Sequence, residues 1–310
     1  MYVFFHLFII AELHTFSLSE YVWCYNSYMN WLSFAIISVL GAAISNVLRR
    51  VVMKGDKSDA LASTILFQFL GFAMILIFTL FHGFVLPPLS TYPLNFIAEG
   101  VLWGLSSLFI FKAAKTLEAS EITIIATIST VVTIATAVFF LHEGFNIFRL
   151  IGVILILMSV VLVSFQKGKM HFNKGVLYIL GYCICAGIAV TNDTFLLQKS
   201  EVYSFLVIGW LSPGLFLILI SPQSIKKLGY FFHGERFKNI FLMTLFYCAG
   251  GVAFYLALAT GGLASQVSPI EQTSTILTVI IAALFLNERD HLGKKCIAAV
   301  LVMIGVLLLR

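Results

Sequence analysis

Apolar residues dominate the chain in long runs that short polar connections interrupt. Ten such runs occur after residue 30. Each approaches the ~20 residues that an α-helix needs to cross ~30 Å of hydrocarbon, whereas a membrane β-barrel would show alternating strands of ~10 residues. The pattern therefore predicts ten transmembrane helices, called segments 1 to 10. Their approximate limits are 31–53, 60–82, 92–112, 120–141, 147–165, 174–198, 202–221, 238–259, 266–286 and 292–309.

Residues 1–30 precede the first segment and form an N-terminal extension of uncertain status. The stretch MYVFFHLFII has an apolar run like that of a signal peptide, but it lacks a basic n-region and a clear small-residue cleavage site. Two interpretations stay open. The extension is an interfacial helix, or it precedes a true start at Met29.

The composition agrees with a membrane protein. Hydrophobic residues make up 60% of the sequence and charged residues 11%, and the mean hydropathy is +1.02. We expect a multi-pass protein of the plasma (inner) membrane. Lys and Arg that flank membrane spans explain the net charge of +5, so no nucleic-acid partner is expected. Cys183 and Cys185 are two residues apart on a helix, point to opposite sides and cannot hold one metal ion.

One stretch of the chain occurs twice. TISTVVTIATAVFFLHE, residues 127–143, returns as QTSTILTVIIAALFLNE, residues 272–288, at an offset of 145 residues. Seven of the 17 positions are identical, and they include three hydroxyl residues and a glutamate. The identical pairs are Ser129/Ser274, Thr130/Thr275, Thr133/Thr278, Ala137/Ala282, Phe140/Phe285, Leu141/Leu286 and Glu143/Glu288.

The repeat defines the expected architecture. Its copies lie in segments 4 and 9, and at an offset of 146 Ser45-Asn46 of segment 1 corresponds to Thr191-Asn192 of segment 6. The repeated unit is therefore five helices long, and an odd number of spans reverses its orientation in the membrane. We predict an all-α membrane protein of ten transmembrane helices, arranged as two inverted five-helix repeats at 31–166 and 167–310. Inverted repeats are typical of carriers that work by alternating access.

Two stretches resemble a known family. FKAAKTLEASEITIIATISTVVTIATAVFFLHE and FYLALATGGLASQVSPIEQTSTILTVIIAALFLNE, each with the helix after it, are similar to the ten-helix EamA branch of the drug/metabolite transporter superfamily. The resemblance implies export of amino acids and related small metabolites; sister families move nucleotide-linked sugars or other solutes. A proline often found inside the family's fourth and ninth helices is replaced here by Thr130 and Thr275. The sequence therefore leaves open whether these helices bend.

Polar residues inside the apolar segments are the candidate site, because burying them costs free energy. Helical spacing places them on one face each of segments 3, 4, 8 and 9. The hydroxyl groups have an alternative, purely structural role, in which they bond to the i−4 carbonyl or to a neighbouring helix. Helix packing does not require carboxyl groups. The substrate-binding candidates are Asn46, Glu99, Trp103, Thr130, Asn192, Asp193, Tyr247, Tyr255, Glu271 and Thr275.

Glu271 is the first candidate for proton coupling, with Glu99 as the second. Its repeat counterpart is Ala126, so its carboxyl breaks the symmetry of the repeated surface. Burial penalises the charged form of a carboxyl, which makes proton exchange in a closing and opening site feasible. A second interpretation is that Glu271 stays ionised and only lines an entrance. Glu121, Glu143 and Glu288 lie at helix ends, where we expect them to cap free N–H groups.

A secondary transporter of small polar metabolites is the function that these features favour. A membrane-embedded enzyme and a lipid flippase are the alternatives, but the sequence has no HExxH, GxSxG or Walker A motif. We expect no cofactor, no bound metal and no enzyme activity. The expected partners are a small-molecule solute and membrane lipid, and a homodimer stays open.

The distribution of basic residues predicts an orientation. The odd-numbered connections, such as residues 222–237, carry 16 of the 19 Lys and Arg, if Arg49 and Lys295 at segment ends are included. Positively charged connections face the cytoplasm, so both termini should lie outside. Members of the family that the chain resembles are usually drawn with cytoplasmic termini.

Overall fold

The computed structural model describes most of the chain after residue 30. The described residues are 31–54, 58–140, 146–166, 169–170, 173–197, 199–260, 267, 270–271, 273–288 and 290–308. The predictions on residues 1–30 and Glu143 therefore lie outside the described residues. The helices are α1 (Trp31–Met53), α2 (Ala60–His82), α3 (Pro93–Ala113), α4 (Ala119–Ala126), α5 (Ile128–Phe140), α6 (Ile147–Ser164), α7 (Lys174–Leu197), α8 (Val202–Ile220), α9 (Gly234–Ala259), α10 (Ser274–Phe285) and α11 (Leu292–Leu308).

Most helices follow the predicted segments, and the described residues outside the loops are helical apart from two short strands. Strands β1 (Phe165–Gln166) and β2 (Lys169–Met170) pair antiparallel between α6 and α7. A 3₁₀ helix, Pro222–Phe231, connects α8 to α9. Within the described ranges, seven helical stretches are long and apolar enough to cross a membrane, if α4 and α5 are taken together as one stretch, Ala119–Phe140. Ile147–Val163 and Ser274–Phe285 are shorter apolar helices. Multiple membrane spans are thus present, while the count of ten remains a prediction.

Segment 4 is broken into two helices, α4 and α5, at Thr127. The Thr127 hydroxyl donates to the carbonyl of Ile124 at 2.6 Å, and the Ser129 hydroxyl donates to that of Ala126 at 2.7 Å. Side chains that occupy carbonyls three residues back compete with the backbone amides and weaken the helix. A break therefore forms here although the proline of the resembling family is missing.

Segment 9 shows the same chemistry at the equivalent place. The Thr273 hydroxyl donates to the carbonyl of Ile270 at 2.6 Å, and the regular helix α10 begins only at Ser274. Thr273 is the repeat counterpart of Ile128, the first residue of α5. The two described interruptions, at Thr127 and Thr273, thus lie one position apart in the repeat. Discontinuous helices that expose backbone groups toward a cavity are common at transporter sites.

Packing between the helices has a twofold pattern that the repeat explains. α1 packs along α9, and α3 packs along α7. In segment numbers these contacts are 1 with 8 and 3 with 6. They are equivalent, because segment 6 is the repeat counterpart of segment 1 and segment 8 is that of segment 3. The pairs α2 with α8 and α6 with α11 each join equivalent segments, and the α5–α7 contact matches the α1–α10 contact. Two halves related by a pseudo-twofold axis would pack in this way.

The α1–α9 contact is close because small residues face each other. A Cβ atom added to Gly41 would lie 2.6 Å from the carbonyl oxygen of Phe246 and 2.8 Å from the Cα of Gly250. Glycine lets two helix backbones approach to this distance, which increases van der Waals contact and excludes lipid. Gly251, the next residue of α9, has no heavy atom within 4 Å of the equivalent position. Gly41 therefore fixes the spacing between the two helices.

Two of the cations counted in the orientation prediction are not free loop charges. Arg49 is 4% exposed and Lys295 is 2% exposed, and both lie inside the helix bundle. Counting them with the connections was wrong, because neither can contact lipid headgroups. Without these two residues, the odd-numbered connections still carry more Lys and Arg than the opposite side, so the predicted orientation is unchanged.

Reporter fusions after the last residue test the orientation. We expect alkaline phosphatase fused behind Arg310 to be active, because the positive-inside rule places both termini outside. A fluorescent protein that matures only in the cytoplasm should then stay dark at the same position. Fluorescence of that fusion would contradict the expected orientation.

Candidate functional site

A polar cavity of about 160 Å³ lies within the helix bundle. Its walls come from α1, α2, α3, α4, α5, α7, α9 and α10, so both halves of the chain contribute. The lining includes Ser and Thr side chains of the two broken segments and the aromatic side chains of Phe67, Trp103, Phe111, Tyr182 and Tyr247. The cavity is comparable to an engineered ~150 Å³ protein cavity that admits benzene, and it is smaller than the ~300 Å³ or more of drug-binding pockets. Its size fits a small metabolite.

Five of the ten sequence-predicted binding residues line this cavity. They are Asn46, Trp103, Thr130, Tyr247 and Thr275. Thr130 and Thr275 are repeat counterparts, so the same position of each repeat faces the same space. The Tyr247 ring packs edge-on against Phe67 and Trp210 and keeps 37% of its surface accessible, so part of it is open to the cavity.

The other five predicted residues lie outside the cavity wall, and three of them form a second polar cluster. Glu99 is 2% exposed, and Asn192 Nδ2 lies 3.5 Å from its Oε2 and donates to the carbonyl of Asn95 at 3.1 Å. Asn95 Nδ2 donates to Asn192 Oδ1 at 2.8 Å. The carboxyl groups of Glu99 and Asp193 are also within hydrogen-bond reach of each other. Two ionised carboxyl groups this close would repel each other.

Trp103 connects the cavity to this acidic cluster. Its ring lines the cavity, and its indole N–H donates to Asp193 Oδ2 at 3.0 Å. The other Asp193 oxygen, Oδ1, is buried without a hydrogen-bond partner among the described residues. Trp103 thus separates the two polar regions while it contacts both.

Glu271 and Tyr255 lie near the site without lining the cavity. Glu271 is at the interruption before α10, and its carboxyl is within electrostatic range of Tyr182, Tyr247 and Tyr255. Tyr255 is also within range of Asp193 and Glu99. Gln272 and Ser268, which the sequence places on the same face, lie outside the described residues.

Many predicted hydroxyls serve the helices instead of a solute. The hydroxyl of Thr123 donates to Ala119 O at 2.9 Å, and that of Thr133 donates to Ser129 O at 3.0 Å. The interpretation of such groups as backbone-bonding residues is therefore correct for these two positions. Neither the Thr130 nor the Thr275 hydroxyl bonds to a described residue, which leaves both available to the cavity.

Sequence reasoning missed Arg49 as a site residue. Its guanidinium lines the cavity, and Nη1 donates to Asn46 Oδ1 at 3.0 Å. The sequence signal was its position: Val51, Val52 and Met53 continue the apolar run beyond it, and Asn46 lies three residues earlier on the same helix face. A basic residue enclosed by an apolar run and one turn from an asparagine is more typical of a buried site than of a loop.

An ion-pair network joins the two halves where α1 and α3 end. Lys295 pairs with Glu118, and Arg50 Nε lies 3.6 Å from Glu288 Oε1. Glu288 Oε2 accepts the N–H of Ala119 at 2.9 Å. Partial burial and the neighbouring Glu118 raise the pKa of Glu288, while the Ala119 N–H, Arg50 and Lys295 act in the opposite direction.

The predicted capping roles of Glu288 and Glu121 can now be compared with their contacts. Glu288 caps a helix start as predicted, but it caps α4 of the other half rather than the helix that follows it. Glu121 Oε2 accepts the N–H of Glu118 at 3.2 Å, so its predicted role at a helix start is confirmed. Both contacts satisfy N–H groups that a helix start leaves free.

Comparisons with known proteins decide the family. The model of the EamA-like transporter family matches residues 29–165 and again residues 173–310. The chain belongs to the EamA-like transporter family. The expected resemblance is thus confirmed, and membership points to a membrane transporter rather than an enzyme. The two matches cover the two halves in which the sequence repeat was found.

A solved crystal structure supports the fold of this EamA-like protein. It has 15% sequence identity and a TM-score of 0.60, over 89% of this chain and 94% of its own. Identity this low carries the fold alone. No curated protein matches the sequence.

Proposed function

We propose that this EamA-like protein is a secondary transporter that exports small polar metabolites, most closely amino acids or related compounds, by alternating access. The observation that carries the proposal is a contrast between two equivalent regions. One is the polar cavity between the halves, and the other is a closed, hydrogen-bonded polar cluster. Asn46 lines the cavity, whereas its repeat counterpart Asn192 is held in the hydrogen-bonded cluster with Asn95 and Glu99. The equivalent residues Asn46 and Asn192 thus have different environments. A carrier with inverted repeats has this asymmetry when it is open on one side of the membrane and closed on the other.

Exchange of these two environments would complete a transport cycle. Opening the Asn192 side separates Asn192 from Asn95 and Glu99, and it brings the acidic cluster into contact with water. Closing the Asn46 side removes the cavity from water. The solute stays near Trp103, which contacts both regions.

Glu271 and Glu99 are the proposed proton-coupling residues. The Glu271 carboxyl is within electrostatic range of Tyr182 and Tyr247, and Glu99 shares the acidic cluster with Asp193. A carboxyl that is alternately enclosed and hydrated changes its proton affinity during the cycle. An ammonium group of the solute would serve as an alternative partner for either carboxylate.

Filling the cavity tests the proposed function. Cells that overproduce the wild-type protein should release a small polar metabolite into the medium, as measured by untargeted mass spectrometry against empty-vector cells. Thr130→Trp should abolish this release because its ring occupies the cavity. Ala135→Trp is the matched control, since it adds the same ring at an exposed position of α5.

Both variants must reach the membrane at the wild-type level before the media are compared. Release that persists with Thr130→Trp would contradict transport through this cavity. The same metabolite concentrations in the media of wild-type and empty-vector cells would contradict export.

A further inference from the structure

Arg49 presents a buried positive charge to the cavity without a countercharge. Its side chain is 4% exposed, and no carboxylate of the described residues lies within ion-pairing distance of it. The nearest compensation comes from the Asn46 amide oxygen and from the rings of Phe111 and Tyr247, whose centroids lie 5.8 Å and 6.0 Å from its Cζ. Cation–π contacts and one amide are weaker partners than an ion. A buried guanidinium in this environment gains from an anionic ligand.

The geometry of the guanidinium leaves one edge available. Nη1 is used by Asn46, whereas Nε is buried and has no hydrogen-bond partner among the described residues. Nε–H belongs to the planar fork with which arginine binds both oxygens of a carboxylate. Asn46 thus orients the group and leaves a donor edge for a ligand.

The remaining wall of the cavity selects the class of anion. Arg49 is the only charged side chain among the described residues that line it, so the cavity compensates one negative charge. A phosphate monoester carries nearly two charges at neutral pH and would keep one unpaired in a buried site. The rings of Trp103, Phe111 and Tyr247 offer apolar and aromatic surface to the rest of the solute.

We infer that Arg49 is the anchor of the solute site and that the solute is a small organic monocarboxylate, including the carboxylate end of an amino acid. This inference deepens the proposed function and rests on it for the identity of the cargo. The binding site itself is tested without transport.

Four probes of the same ring size test the inference on purified protein in detergent. Benzoate is the carboxylate, benzamide its neutral analogue, benzylamine its cationic analogue and phenylphosphonate the phosphate-like anion. Affinities are measured from the rise of the unfolding temperature with ligand concentration. We expect wild-type protein to bind benzoate about tenfold or more tightly than each of the other three. Benzamide and benzylamine lose the charge-assisted bidentate contact, and phenylphosphonate would keep a second negative charge unpaired in the buried site.

Substitutions then assign the preference to Arg49. Arg49→Gln should remove the preference of benzoate over benzamide, and Arg49→Lys should keep part of it, because lysine retains the charge but not the fork. Arg50→Gln is the matched control, since Arg50 donates to Ala114 O at 2.7 Å and lies near Glu288 instead of the cavity. Unliganded unfolding temperatures show that each variant is folded.

Three results would overturn the inference. They are equal wild-type binding of benzoate and benzamide, tighter binding of phenylphosphonate than of benzoate, and an unchanged benzoate preference in Arg49→Gln. The comparison of the four probes on the wild-type protein remains valid even if a variant does not fold. Binding of benzoate through Arg49 without any export would support the binding site and contradict the transport proposal. The two failures are therefore distinguishable.

Discussion

Gly41→Ala is expected to destabilise the protein by about 3 kcal/mol, near the upper end of the usual cost of overpacking. The added Cβ would lie 2.6 Å from the carbonyl oxygen of Phe246, and a backbone atom cannot rotate away as a side chain can. α1 and α9 must therefore move apart along their contact. We expect a fall of the unfolding temperature in detergent of the order of 5 °C or more, with a lower yield of folded protein.

The same change is expected to damage the site, because α1 and α9 both contribute side chains to the cavity wall. α1 carries Asn46 and Arg49, and α9 carries Tyr247. Benzoate affinity should fall together with stability.

Gly251→Ala on α9 is the matched control for this substitution. No heavy atom lies within 4 Å of the added Cβ there, so this variant should unfold at the wild-type temperature or slightly above it. Equal unfolding temperatures for Gly41→Ala and Gly251→Ala would show that α1 and α9 do not pack as closely as described.

Glu271→Gln is expected to abolish the pH dependence of transport while the fold is kept. Glutamine has almost the same shape as glutamate but exchanges no proton. Among the described residues, Tyr182 of α7 and Tyr247 and Tyr255 of α9 are titratable groups within electrostatic range of Glu271. One titrating carboxyl changes a rate by up to about tenfold per pH unit, so uptake into liposomes measured between about pH 5 and about pH 8 resolves its loss.

Glu99→Gln provides the comparison for this experiment. It makes the same chemical change at a carboxyl that is tied to Asn192 and Asp193, on the closed side of the site. A flat profile in Glu271→Gln with a normal profile in Glu99→Gln assigns the coupling to Glu271. The reverse result assigns it to the pair of Glu99 and Asp193, and normal profiles in both variants contradict proton coupling through these residues.

The amino-acid sequence determined most of the long apolar helices, the family and five of the residues that line the cavity. Hydrophobic length is a local property, so the helix limits could be predicted from the chain itself. The repeat also placed Thr130 and Thr275 at equivalent positions of one site, because residues that face a shared cavity are kept at the same register in both halves. Trp103 and Tyr247 followed from helical spacing alone.

Only the tertiary structure decided how these residues are grouped. Helical spacing shows which face a residue occupies but not which helix lies opposite, and therefore it could not separate the Asn46 cavity from the Asn192 cluster. The partner of Asp193 is Trp103, 90 positions away, and Glu288 caps α4 from 169 positions away. Arg49 was counted with a loop because its burial depends on contacts with Phe111 of α3 and Tyr247 of α9. Contacts between distant segments arise from packing, which the order of residues along one helix does not encode.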